Sequence, residues 1–121
     1  MNHEERKALI IQEFSRRFNS PSTLWSRAPG RVDLMGSHTD YNLGYVLTLS
    51  IDRDTWIAAR PRSDRRVSIY SINLDGGGAF NLDAITPDKT SPWTNYVRGV
   101  ASVLQAEGYA LSGFDGLIHS T

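Results

Sequence analysis

Cysteine is absent from the 121 residues, which removes disulfides, thiolate catalysis and zinc–thiolate sites from consideration. An excess of charge is absent too: thirteen basic and thirteen acidic side chains cancel to zero. Without a basic field, bulk electrostatics cannot hold a phosphate backbone or an anionic bilayer, so nucleic acid and membrane are not the expected partners. Long hydrophobic runs are also missing. The N-terminal stretch has one short apolar run, residues 8–11, far below a signal-peptide core or a membrane span. The default is a cytoplasmic protein. Hydrophobic residues at 40% and charged residues at 21% suffice for a packed core, either one modest domain or part of a larger one.

Periodicity supplies the elements. Residues 3–19 predict a helix, with Ile11, Phe14 and Phe18 as its apolar stripe, acids at its start and bases near its end. Pro21 stops it. The stretch "TLWSRAPGRVDLMG" reads as an extended segment interrupted at Pro29-Gly30. "YVLTLSIDRDTWIAARPR" reads as one long strand, or two separated by a bulge near residues 52–54. "RRVSIYSINL" alternates as a strand, "DGGG" at 75–78 as a flexible turn, and "AFNL" as a short antiparallel return. A second helix is expected from Trp93 or Thr94 to Glu107, with Tyr96, Val97, Val100, Val103 and Leu104 on one side and Gly108 ending it. "GFDGLIHST" closes as a strand. A strand as the last element leads us to expect part of something longer, with an open sheet edge that invites dimerisation or swapping.

The chemistry concentrates in "GSHTDYN", residues 36–42, with one imidazole, one carboxylate, three hydroxyls and an amide. Groups of this kind converging from one loop suit a polyhydroxylated ligand, because a sugar hydroxyl both donates and accepts. The alternative is a capped turn, in which Ser37, Thr39, Asp40 and Asn42 bond to nearby backbone.

The longer stretch "RAPGRVDLMGSHTDYNLGYVL" resembles the N-terminal signature of galactokinases, within the GHMP small-molecule kinase superfamily. That signature runs Ala-Pro-Gly-Arg-Val-Asn-Leu-Ile-Gly-Glu-His-Thr-Asp-Tyr-Asn. "WTNYVRGV" at 93–100 is similar to the family's Trp-x-Asn-Tyr-Val-x-Gly-Val helix start. The resemblance covers nearly the whole chain. It implies an α+β fold of the ribosomal protein S5 domain 2-like type: a mixed, mostly antiparallel sheet with two main helices, of which residues 1–121 form the N-terminal, sugar-binding portion. It implies transfer of the ATP γ-phosphoryl group to the anomeric hydroxyl of galactose, with Mg²⁺ as cofactor and no resident metal. Arg31 takes the catalytic arginine's place, beside the reacting hydroxyl, where a guanidinium can hold a base ionised and offset developing charge. His38 and Asp40 correspond to residues that hold sugar hydroxyls, with Tyr41 and Asn42 shaping the same loop. Trp93, Ser71 and Asn73 correspond to the nucleotide pocket.

The chain departs from the signature at Asp33, Met35 and Ser37. Where the family places a glutamate acceptor, Ser37 is shorter, uncharged and able to donate. Losing one charged acceptor costs about 1–3 kcal/mol of binding, or marks another sugar such as arabinose or N-acetylgalactosamine. Asp33 adds a carboxylate, expected to pair with Arg31. The family's serine-rich phosphate loop and its aspartate base have no counterpart in these residues, so this portion alone is expected to be inactive. A non-catalytic sugar sensor is the rival reading. Elsewhere the expectations are structural: Trp25 and Trp56 in core packing, Asp52 and Asp54 on a solvated strand edge, His119 on a strand face, and "RPRSDRR" at 60–66 as a solvated hairpin loop.

Overall fold

Helix α1, His3–Phe18, opens on Asn2, whose side chain accepts the Glu5 N–H at 2.8 Å, and ends at Asn19 in the left-handed region (φ 57°). The computed structural model describes residues 1–35 and 47–121, side chains excepted at 33–35. Strands β1 (Leu24–Met35), β2 (Leu47–Pro61), β3 (Arg66–Ser71) and β4 (Gly76–Asn81) follow, then helix α2 (Thr94–Ala106) and strand β5 (Phe114–Ser120). They form one mixed sheet in the order β1-β2-β5-β3-β4, antiparallel throughout except for β3 beside β5.

Strand alternation splits the core in two. Asp54, Trp56 and Ala58 of β2 share a face with Leu117 and His119 of β5, since Trp56 pairs His119 and Ala58 pairs Leu117. Helix α1 covers that face with Ile10 and Phe14, both fully buried, beside Ala58 and Leu117. Each such side chain contributes about 1.5–3 kcal/mol by leaving water. On the other face, α2 seals Val67, Ile69, Phe80 and Leu82 with Ala101, and Val97 and Trp93 pack at the margin.

Several expectations shift. The inward residue of α1 is Ile10, while Ile11 is 45% exposed. The fourfold spacing Arg6, Ile10, Phe14, Phe18 sets the buried stripe, and adjacent residues diverge by about 100° on a helix. Helix α2 starts and stops as expected, with Gly108 at φ +93°, but it buries Thr94, Arg98 and Ala101. Tyr96, Val100 and Val103 remain exposed, the first two lining an apolar groove with Ile57, Leu111 and Phe114. The turn after β3 is residues 72–75, with Asp75 at φ 47°, whereas Gly76–Gly78 belong to β4.

Strand β5 is interior, because it inserts between β2 and β3, so the sheet edges are β1 and β4 rather than the last strand. For the same reason residues 60–66 do not close a hairpin: they bridge over the end of β5. There Gly113 donates to Asp64 O at 3.1 Å, and a Cβ on Gly113 would lie 2.6 Å from that same oxygen. Arg62 spans Asp64 and Asp115, each at 2.9 Å, and its hydrogen bonds pull the Asp64 carboxyl down to about 2.

Candidate functional site

Strands β1 and β2 carry the signature at one end of the sheet. Arg31 lies on β1 opposite Ser50, with its side chain exposed. The ladder continues through Val32↔Leu49 to Asp33↔Thr48 and, after a second register shift, reaches Met35↔Leu47. The residues that flank 36–46, Met35 and Leu47, are thus a ladder pair. Ser37, His38, Asp40 and Tyr41, with Asn42, lie outside the described residues, and so does the expected pairing of the Asp33 side chain.

Below Arg31 the ladder is irregular. Pro29 pairs Asp54, and the next pair is Arg31 with Ser50, so Ile51, Asp52 and Arg53 stand opposite Gly30 alone. This is the irregularity expected near residues 52–54. A Cβ on Gly30 would sit 3.2 Å from the Ile51 side chain and 3.3 Å from Arg53 O, so glycine suits this close approach.

The strongest electrostatic feature starts at Asp54, which corrects the solvated-edge expectation. Its residue is only 7% exposed. Arg6 from α1 donates to Oδ1, Arg27 from β1 donates to Oδ2, and Trp56 Nε1 donates to Oδ2 at 3.0 Å. The Asp54 N–H donates to Thr121 Oγ1 at 2.8 Å, and the Thr121 N–H returns to Asp54 O at 3.0 Å. The hydrogen bond from Arg6, helped by those of Arg27 and Trp56, holds the carboxyl well below the usual carboxylate range against the opposing effect of burial.

Arg6 also donates through Nε to His119 Nδ1 at 2.8 Å and through Nη2 to His119 O at 3.0 Å. An acceptor Nδ1 requires the unprotonated nitrogen, and burial followed by the charge of Arg6 pushes His119 below its ordinary value. Trp56 supports the guanidinium of Arg6 at 4.2 Å and meets Trp25 edge-on at 6.3 Å. Trp25 itself is 41% exposed and so is not core. The sequence reading gives Arg6 no role and places Asp54 on a solvated edge. The signal was phase: Arg6 is four residues before Ile10, and Asp54 alternates inward with Trp56 and Ala58.

The nucleotide candidates lie apart from this network. Ser71 falls on the α2 face with Val67 and Ile69, is buried, and accepts the Leu74 N–H at 3.3 Å. Trp93 precedes α2 and packs against that core. Asn73 spends both ends of its amide on the backbone of Ser120, at 2.7 Å each. Among the described residues, no group of three or more His, Asp or Glu side chains could hold a metal ion, and no helix is long and apolar enough to cross a membrane.

Comparison with known proteins converges on the same region. Residues 12–61 match the galactokinase galactose-binding signature, a span that includes Arg31 and the whole segment 36–46. Galactokinases from Chloroflexus aggregans and Chloroflexus aurantiacus are 48% and 46% identical over 111 residues, 92% of this chain. The chain spans 28% of the length of each. Among solved structures, the galactokinase of Lactococcus lactis complexed with galactose superimposes with a TM-score of 0.79 at 35% identity, covering 94% of this chain and 30% of that one. A mevalonate kinase from Methanococcus jannaschii, at 20% identity and a TM-score of 0.58, shares the fold. The α+β sheet, the signature strands and the sequence are similar to those of galactokinases, of which the chain spans less than a third of the length.

Proposed function

We propose that residues 1–121 form the sugar-binding portion of a galactokinase, which transfers the ATP γ-phosphoryl group to the anomeric hydroxyl of galactose in the cytoplasm. The observation that carries this reading is the galactose-binding signature match over residues 12–61, which includes the β1–β2 pair that bears Arg31 and flanks residues 36–46. In this reading Arg31 lies beside the reacting hydroxyl, where its guanidinium keeps the attacking group's base ionised and offsets charge in the transferring group. His38 and Asp40 hold sugar hydroxyls, one as donor or acceptor and one as acceptor only. Tyr41 shapes the same loop, and Ser37 meets the far end of the sugar.

For ATP, the described residues supply at most the base side of a pocket, Trp93 and Ser71 on the α2 face, with Asn73 committed to β5. They do not fit a triphosphate: the glycine run 76–78 is strand and opens no helix. The triphosphate and Mg²⁺ therefore fall to the remainder of such a protein.

Ser37 favours a second reading, a kinase of the same kind for another sugar. ADP release by the intact gene product across galactose, arabinose and N-acetylgalactosamine separates the two. Galactose is expected to be the best substrate, and Ser37→Glu to lower its KM about tenfold, equivalent to about 1.4 kcal/mol. Turnover of another sugar with none of galactose overturns the substrate assignment, and no turnover of any sugar points to the non-catalytic sensor.

A further inference from the structure

We propose that Asp54 is a positioning residue for the signature strands: it locks the β1–β2 ladder at the irregularity beside Gly30 and so fixes the register in which Arg31 is presented. This rests on the sugar-kinase reading above. Three elements converge on the one residue, α1 through Arg6, β1 through Arg27, and the end of β5 through Thr121. It is also the last residue of β2 paired before the irregularity, and Arg31 is the first residue of β1 paired beyond it.

A ladder with surplus residues on one strand has no unique pairing of its own, and a one-residue slip turns every following side chain to the opposite face. Something must select the pairing. The Asp54 carboxylate does so across the strands, since its Oδ2 takes both Arg27 of β1 and Trp56 of β2, which are themselves a ladder pair. Gly30 completes the lock from the other side by admitting Ile51 within van der Waals contact. Of the Asp54 partners, Arg6 alone lies on α1. The side chain of Arg27 is 58% exposed, so its ion pair adds little stability, and its effect is on register.

The test is amide hydrogen exchange at residues 31–35 and 47–50 of the intact gene product, combined with sugar kinetics. The variants are Asp54→Asn, Asp54→Glu and Arg27→Met, with Val67→Ala as a stability control in the opposite core. Asp54→Asn and Arg27→Met are expected to speed exchange in those residues at least about tenfold more than Val67→Ala does. They are expected to reduce kcat/KM for the sugar roughly ten- to a hundredfold with the KM for ATP unchanged, and Asp54→Glu to recover part of the loss. Equal exchange in all variants overturns the proposal, and so does faster exchange with wild-type sugar kinetics. If Asp54→Asn does not fold, Arg27→Met carries the same comparison. A wild-type product inactive on every sugar defeats the functional reading instead, and the exchange data then still decide whether Asp54 sets the register.

Discussion

Each helix buries one arginine against the sheet, and the two are satisfied in opposite ways. Arg6 of α1 meets a carboxylate and an imidazole, Asp54 and His119, on the strands that lead to the signature. Arg98 of α2 meets neutral acceptors: Thr94 Oγ1, Thr86 O and Ala79 O, each at 3.1 Å, with Asp88 further off at 3.7 Å. The α1 half therefore joins packing to titratable charge and to the candidate site. The α2 half joins packing to backbone hydrogen bonds. The contrast teaches that the helix seating nearest the signature depends on protonation, while the other helix is braced mainly by neutral acceptors, with a longer ion pair to Asp88.

The largest expected effect comes from packing in the α1 half. Phe14 is the largest fully buried side chain among the described residues, so Phe14→Ala should cost about 3–5 kcal/mol by urea denaturation. A loss below about 1.5 kcal/mol would mean that α1 is not seated as described.

Next in size is the paired comparison of Arg6→Met with Arg98→Met. Arg6→Met leaves Asp54 buried with only a half-exposed cation, and Tm should fall by roughly 10 °C, with Arg98→Met costing about half as much. Their pH profiles should differ as well. Folded His119 titrates below its ordinary 6.5, so the unfolded chain takes up that proton first, and stability present at neutral pH is lost as pH falls through the interval beneath 6.5. Folded Asp54 lies below its ordinary 3.8, so the stability it carries is present above 3.8 and is lost as pH falls further. Arg6→Met removes the main cause of the Asp54 shift and should flatten the acid limb, whereas Arg98→Met should leave it intact. Parallel profiles for the two variants would erase the distinction between the halves.

Local pattern made much of this fold legible. Alternation in "RRVSIYS" and helical spacing after Trp93 translate directly into β3 and α2, and Gly108 stops the helix as its conformational freedom suggests. What stayed hidden depends on long-range partners. A buried arginine reads as polar until its acceptor is known, which is why the inward faces of both helices were misphased at Ile11 and Val100. The insertion of β5 between β2 and β3 leaves no local trace, so the sheet edge was misassigned. Glycines in a strand look like a turn, and Gly76–Gly78 concealed β4. The signature itself was legible from residue order alone, because Arg31, His38 and Asp40 fall in a pattern that few other sequences share.

In the proposed galactokinase reading, sugar chemistry takes place at the end of the β1–β2 pair that bears Arg31. Steady-state kinetics of Arg31→Ala in the intact gene product tests this most directly. The prediction is a kcat for galactose lowered roughly a hundred- to a thousandfold with the fold and the KM for ATP retained. A variant that turns over galactose at the wild-type rate would contradict it.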